Sequence, residues 1–380
     1  MKIVVAIDSL KGSLTSIEAG NAIKQGILNI DPTSQVVIKP LADGGEGTAE
    51  ALVSGMGGSM QEAEVTGPLR EKVVARYGVL KDHQTAIIEM AEAAGLPLVP
   101  MAQRNPLYTT TYGVGELIKR CIQEGCRKFI VGIGGSATND AGLGMLMALG
   151  YRFLDAQGKE VAESGQGLID ICSVDTSKVI EGLSQCEFKI ACDVNNPLYG
   201  PNGAAAIYAP QKGATPEIVE QLDQGLQNFA QVVKVLKQED FAQVPGAGAA
   251  GGLGFGFMAF LNGKLESGIQ IILKETGLEE DFKDAHLVIT GEGRLDNQTA
   301  MGKAPIGVAK LAKKYNLPVL GFAGALANEA KKCNEEGIDA YFSIVNAAMS
   351  LEDAMNPIHA KENMIKTVEQ VFKLIKVYNH

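Results

Sequence analysis

The chain has 380 residues, 46% hydrophobic and 21% charged, with 45 glycines and a formal net charge of −10. That length suits a soluble α/β protein of two domains, and the acidic balance argues against a nucleic-acid groove, which needs a basic footprint. No apolar run approaches the about 18 residues of a membrane span. The four histidines and six cysteines, without C-x-x-C spacing, suggest neither a histidine-based metal site nor a disulfide framework.

The start, MKIVVAIDSLKGS, reads as a short strand with an acid straight after it rather than a signal peptide, so the cytoplasm is the expected compartment. KIVVAID (2–8) and QVVIKPL (35–41) are continuous apolar runs, as parallel strands buried on both faces require. The helical patterns SIEAGNAIKQGIL and GTAEALVSG follow them. DSLKGS at 8–13 sets Asp8, Ser9, Lys11 and Ser13 just beyond the first strand. A lysine there can reach a transferring phosphoryl group as a mobile point charge; the bland alternative is a helix N-cap by Ser13 or Thr15 beside a solvated lysine. ADGGEGT at 42–48 puts Asp43 on an uncrowded turn, suited to Mg²⁺ or a hydroxyl proton, or to nothing beyond an Asp-Gly turn.

A second set of strands follows: EKVVARYGVL, TAIIEMAEAAG, KFIVGIG and EFKIACDV. In KFIVGIGGSATND (128–140) a strand meets a turn of Gly132, Gly134 and Gly135 that runs into the helical pattern AGLGMLMALG. Such a junction aims N–H groups and a positive helix end at one spot. Ser136, Thr138 and Asn139 add neutral donors, and Asp140 adds a charge compatible with a phosphate screened by Mg²⁺. A tight turn between core elements is the competing reading. Gly132, Gly134 and Ala137 also fit G-x-G-x-x-A, with Asp155 near the usual distance of about 20 residues for a ribose-binding acid. An NAD-dependent oxidoreductase acting on a small hydroxy acid therefore stays open.

ACDVNNPLYG (191–200) ends a strand with Asp193, Asn195 and Asn196, an arrangement suited to a base that orients a hydroxyl. PGAGAAGGLGFGF (245–257) is either a mobile lid or a close-packed helix start, with packing preferred. AHLVITG (285–291), PVLGFAG (318–324) and AYFSIV (340–345) return to the first kind of strand, interleaved with IGVAKLAKKY and NMIKTVEQVFKLIKV. GEGRLDNQT (291–299) supplies Glu292, Arg294 and Asp296, and MGK adds Lys303. Gly302 and Lys303 are followed by alanine and lack the upstream P-loop spacing, and protein-kinase signatures are missing.

Strands alternating with helices predict an α/β fold with a doubly wound parallel sheet. Residues 1–74 plus 285–380 would form that domain, interrupted by a second α/β domain at 75–284 carrying GIGGSATND. The polar loops fall at carboxyl ends of strands, where open α/β sheets bind ligands, and two domains with facing loops would make a cleft.

In order, DSLKGS, ADGGEGT, VTGPL, GIGGSATND, ACDVNNPL, QKGAT, PGAGAAGGLG and ITGEGRLDNQT resemble the glycerate kinase type-1 family over essentially the whole chain. The resemblance implies a flavodoxin-like domain interrupted by a second α/β domain. It also implies ATP- and Mg²⁺-dependent phosphorylation of D-glycerate, with 2-phosphoglycerate and ADP as products. Gly134, Gly135, Ser136, Thr138 and Asn139 would then bind nucleotide phosphate. Charge complementarity assigns Arg294 to the substrate carboxylate, with Arg104 second and Asn195 beside them. Asp193 is the expected base and Asp296 its rival; Asp43 and Asp140 are the Mg²⁺-side acids, and Lys11 stabilises the transferred group.

Three positions depart from the family pattern. Leu10 replaces an aromatic, and Arg70 and Ala141 replace glycines; Ala141 would cost little in the first turn of a helix. The expected partners are small molecules alone, without nucleic acid or membrane, for a monomer or homodimer. A non-catalytic hydroxy-acid sensor is a further alternative. No residue spacing distinguishes the 2-hydroxyl from the 3-hydroxyl.

Overall fold

Apolar runs bounded by glycine-rich turns become strands, and the amphipathic runs between them become helices. The computed structural model describes residues 1–42, 44–45 and 47–378. Its strands are β1 (Lys2–Val5), β2 (Gln35–Ile38), β3 (Gly58–Thr66), β4 (Lys72–Leu80), β5 (Thr85–Glu89), β6 (Lys128–Gly132), β7 (Arg152–Leu154), β8 (Ser173–Asp175), β9 (Glu187–Ala191), β10 (Lys264–Glu266), β11 (Leu287–Leu295), β12 (Val319–Leu326) and β13 (Ala340–Ser343). The fold is α/β. Its contacts divide the chain into two units: Met1–Asp43, Glu50–Met56 and Ile269–His380 form one, and Gly44–Ala49 with Gly57–Gly268 form the other.

The first unit holds a sheet in the order β13-β12-β11-β1-β2, with every neighbouring pair parallel. Counted within the unit, this is the 2-1-3-4-5 order of flavodoxin-like folds. β1 pairs with β11 from Ile3↔Leu287 to Val5↔Ile289. Ile3, Val5 and Ile7 pack into one buried cluster with Ile23 and Ile27 of the helix Ser16–Ile30 and with Met364, Val368 and Phe372 of the helix Pro357–Tyr378. Each such side chain contributes roughly 1.5–3 kcal/mol of burial energy. The first helix begins at a capping box. The Thr15 hydroxyl accepts from the Glu18 N–H at 3.2 Å and the Glu18 carboxylate accepts from the Thr15 N–H at 2.9 Å, an arrangement worth about 1 kcal/mol. Thr15, not Ser13, is the cap.

The second unit holds a sheet in the order β10-β9-β6-β5-β4-β3. β5, β6, β9 and β10 run parallel, while β3, β4 and β5 are joined antiparallel. The boundaries differ from those expected at 75 and 284. β3 pairs with β4 along its whole length, which brings residues from 57 onward into the second unit, while residues 269–284 belong to the first. β3 is mostly exposed, so its polar sequence carries no apolar run to mark it. β7 and β8 form a separate antiparallel ribbon. No helix of the described residues is long and apolar enough to cross a membrane.

Candidate active site

In the first unit, candidate side chains gather where β1 and β11 end side by side. This is the point at which the strand order reverses, the usual ligand position in open α/β sheets. Past β1, the Ala6 and Asp8 N–H groups donate to the carbonyls of Ile289 and Gly291 at 2.8 and 2.9 Å. Asp8 is buried, and its Oδ1 accepts from the Ser9 N–H at 2.7 Å. Leu10 and Leu14 exchange backbone hydrogen bonds of 2.8 and 3.1 Å, with Gly12 at φ 76° closing the turn. That turn leaves Lys11 exposed.

From β11, Glu292 is nearly buried and accepts from the Thr299 hydroxyl at 2.5 Å. Arg294 is exposed, and its guanidinium makes no hydrogen bond or ion pair with any described residue, leaving a forked donor for a carboxylate. Asp296, the rival base, is engaged in the fold. Its Oδ1 accepts from the N–H groups of Gln298 and Thr299 at 2.8 and 3.2 Å, capping the helix Asn297–Ala300.

In the second unit, four parallel strands end on one side of the sheet. Gly132 closes β6, and a Cβ there would lie 2.4 Å from the Gly44 carbonyl oxygen. Gly44 thus lies directly over the strand end, and Gly47 and Ala49 follow in the same segment. Asp43, which precedes it, lies outside the described residues. Glu89, at the end of β5, holds this segment: Oε1 accepts from the Ala49 N–H at 2.8 Å and Oε2 from the Gly47 N–H at 3.2 Å. Burial pushes its carboxyl up from 4.5 to about 7, against the pull of those two bonds. A folded-state pKa raised in this way gives stability that is complete below about pH 4.5 and lost as pH rises through 7. Between those values, unfolding free energy should fall by about 3 kcal/mol more in the parent than in Glu89→Gln. Urea titrations at pH 5 and 7.5 check this, and equal slopes for the two proteins would refute it.

Residues 134 and 135 form an exposed turn, with Gly135 at φ 74°. The Leu96 N–H donates to the Gly135 carbonyl at 2.8 Å, and the Ala137 N–H donates to the Ala94 carbonyl at 2.9 Å. The helix expected straight after the turn begins only at Leu143 and ends at Ala148. Residues 137–140 instead run inward, and Thr138, Asn139 and Asp140 are fully buried. Asp140, expected beside Mg²⁺, accepts from the Thr111 N–H and hydroxyl at 2.9 and 2.8 Å and from the Gly142 and Gly144 N–H groups at 3.2 and 3.3 Å. Burial raises its pKa and those bonds oppose the rise; the carboxylate serves the fold. The Thr138 hydroxyl and both amide atoms of Asn139 are buried without protein partners. Residues 134 and 135 carry the exposed backbone donors of this segment, and Ser136 beside them is 7% exposed.

Sequence reasoning passed over Lys212, from QKGAT. It is only 2% exposed, and its Nζ donates to Ser136 Oγ and to the Thr138 carbonyl, both at 2.6 Å. Burial brings its pKa down to about 7, with Asp140 opposing. Buried lysines are rare, so nothing but its place in that motif could have singled it out.

Asp193 follows β9 and is exposed; its Oδ1 accepts from the Ser267 hydroxyl at 2.8 Å and the Gly268 N–H at 3.1 Å. Asn195 is exposed beside it. Asn196 is structural: Oδ1 accepts from the Tyr208 hydroxyl at 2.6 Å and Nδ2 donates to the Asn202 carbonyl at 2.8 Å. The Arg104 Nε donates to the Val99 carbonyl at 3.4 Å. Its own carbonyl lies where a Cβ on Gly213 would approach within 2.2 Å, next to Lys212.

The glycine-rich segment packs. Ala250, Gly251 and Gly252 take left-handed conformations at the start of the helix Ala249–Leu261, and Gly251 accepts from the Ala141 N–H at 3.0 Å. Ala141 itself has φ 50° and lies outside the helix, and Arg70 has φ 68°. Both replacements of the family glycines therefore fall in left-handed positions, which cost an L-residue about 1–2 kcal/mol. The low cost expected for Ala141 does not hold. Arg70 pairs with Glu163 at 3.0 Å.

The dinucleotide fingerprint lacks its context. β7 lies in the ribbon with β8 rather than beside β6, and Asp155 Oδ1 is taken by the N–H groups of Gln157 and Lys159, both at 2.9 Å. Among the described residues, no three His, Cys, Asp or Glu side chains converge as a metal cage.

A profile of the glycerate kinase family matches residues 3–376. The chain is 47% identical to the glycerate kinase of Bacillus subtilis (strain 168), over 99% of this chain and 98% of that one. It is also 47% identical to the glycerate 2-kinase of Escherichia coli (strain K12), over 97% and 98%. A crystal structure of putative glycerate kinase 2 from Salmonella typhimurium LT2 superposes with a TM-score of 0.92 at 47% identity, covering 100% of this chain and 99% of that one.

Proposed function

The chain belongs to the glycerate kinase family, and from that premise we propose that it transfers the γ-phosphoryl group of ATP to the 2-hydroxyl of D-glycerate, in a Mg²⁺-dependent reaction. The observation that carries the choice of hydroxyl is the near-full-length identity to a relative named as a 2-kinase.

In this reading the Arg294 fork holds the glycerate carboxylate, and Arg104 and Asn195 are the secondary candidates for substrate contact. Asp193 accepts the C2 hydroxyl proton as that oxygen bonds to the γ-phosphorus. The bond from the γ-phosphorus to the β,γ-bridging oxygen breaks, and ADP leaves with the electron pair. Lys11 meets negative charge on the transferred group. N–H groups of the turn at 134–136 and the Ser136 hydroxyl bind nucleotide phosphate. Mg²⁺, when bound, neutralises phosphate charge. Of the two acids expected beside the ion, Asp140 is engaged by Thr111, Gly142 and Gly144, which leaves Asp43 as the carboxylate that would hold it.

A coupled ADP assay against D-glycerate, L-glycerate and other small hydroxy acids tests the activity, and phosphorus NMR identifies the product. D-Glycerate should give 2-phosphoglycerate. A dominant 3-phosphoglycerate signal would displace the Arg294 clamp, and glycerate binding without ADP release would favour a sensor.

A further inference from the structure

Lys212 has no part in the reaction just described, yet it is the cation buried behind the turn at 134–136. A lysine ammonium offers three donors and no acceptor. In that protonated form Ser136 Oγ accepts the 2.6 Å bond from Lys212 Nζ, and its own proton points elsewhere. Ser136 makes no other side-chain hydrogen bond with a described residue, and it is 7% exposed where the turn reaches the surface.

The second bond of Lys212, to the Thr138 carbonyl, fixes the segment that runs inward from that turn. Together the two bonds tie the turn to the Pro210–Lys212 helix end, where Gly213 at φ 94° lets the backbone fold against Arg104. A buried charge of this kind is costly to keep, and Asp140 is the anion that offsets it. A turn held only for structural reasons could use an uncharged donor.

We propose that Lys212 is a positioning residue for phosphoryl transfer: its ammonium makes the Ser136 hydroxyl an outward-facing donor and sets a positive charge beneath the nucleotide's phosphates. The proposal rests on the assignment of the 134–136 turn to phosphate binding. It specifies the ligand at that turn as a polyphosphate anion whose oxygens accept from Ser136. While Lys212 is protonated, Ser136 offers a proton to that oxygen. With a neutral amine the serine proton can turn inward, and a lone pair would then face the phosphate.

The experiment is a two-by-two cycle of Ser136→Ala and Lys212→Met, with KM for ATP, KM for D-glycerate and kcat measured separately. Each single change should raise KM for ATP by about 10–100-fold, the scale of one hydrogen bond to a charged group with its desolvation. KM for glycerate should stay within about twofold, a split that general loosening of the fold would not produce. The double variant should be no worse than the poorer single, because the two residues act as one unit. Lys212→Arg, which keeps a cation and donors, should recover most of the affinity.

The failures are distinguishable. An unaffected Ser136→Ala removes the phosphate assignment of the turn, and this proposal falls with it. A costly Ser136→Ala beside a silent Lys212→Met, or additive effects in the double variant, overturns the role of Lys212 alone. Should Lys212→Met not fold, the parent pH profile decides: KM for ATP should rise as pH climbs from 6.5 to 8.5 in the parent and stay flat in Ser136→Ala. Asp140 is the charged group that faces Lys212, and its bonds to Thr111, Gly142 and Gly144 oppose the rise that burial imposes on its carboxyl. A flat parent profile overturns the proposal.

Discussion

Asp193→Asn should lower kcat by about 10²–10⁴-fold, the usual cost of removing a general base, while the Kd for ATP stays within about threefold of the parent. The substitution isolates chemistry from structure. Oδ1 of Asp193 is the atom that accepts from the Ser267 hydroxyl and the Gly268 N–H, and an asparagine carbonyl oxygen can keep both bonds. The substitution removes the negative charge and the ability to take a proton. Single-turnover measurement of ADP formation, paired with calorimetric titration of ATP, separates the two effects. A kcat near that of the parent would remove Asp193 as the base and return attention to Asp43. Asp296 would be the other candidate, its Oδ1 engaged by two donors as that of Asp193 is.

Gly251→Ala should be the more destructive change to the protein itself. A Cβ at this position would lie 2.0 Å from the Thr138 carbonyl oxygen and 2.6 Å from the Asn139 Cα. Both are backbone atoms of a buried segment, so no rotamer change relieves the contact, and the residue sits at φ 69°. Losses above about 4 kcal/mol arise from a short set of mechanisms, and steric overlap with buried backbone is one. Gly158→Ala supplies the control. Its φ is 76°, and nothing lies within 4 Å of the added carbon, so it should show the left-handed strain alone, about 1 kcal/mol. Urea midpoints for both variants test the pair. Similar, small shifts in each would mean that the glycine-rich segment gives way and is the lid rather than the packed layer.

The parts of the fold legible in the sequence are those whose physics is local. The strands of the first sheet announced themselves because burial on both faces demands unbroken apolar runs, and KIVVAID and AHLVITG are such runs. β3 was invisible for the opposite reason: an exposed antiparallel edge can be built from GSMQEAEVT. At the candidate site, the exposed positions of Lys11 and Arg294 beside the ends of β1 and β11 were legible because polar loops at strand ends follow a topological rule. Asp140 was misread because a short acid in a glycine-rich segment looks the same on paper whether it faces solvent or four buried donors. Lys212 was missed because its partners, Ser136 and Thr138, are 76 and 74 residues away.

The pairing of Ile3 with Leu287 also sets a timetable for synthesis. Those partners are 284 positions apart, so at about 5–20 residues per second β1 waits roughly 15–60 s for its neighbour to be made. Over that interval it has β2 for company and one apolar edge without its eventual partner, and two strands alone are marginal. The stretch Gly57–Gly268 meanwhile contains every strand of the second sheet. On the ribosome, the unit carrying the turn at 134–136 is therefore finished first, while the oldest part of the chain is the last to be covered.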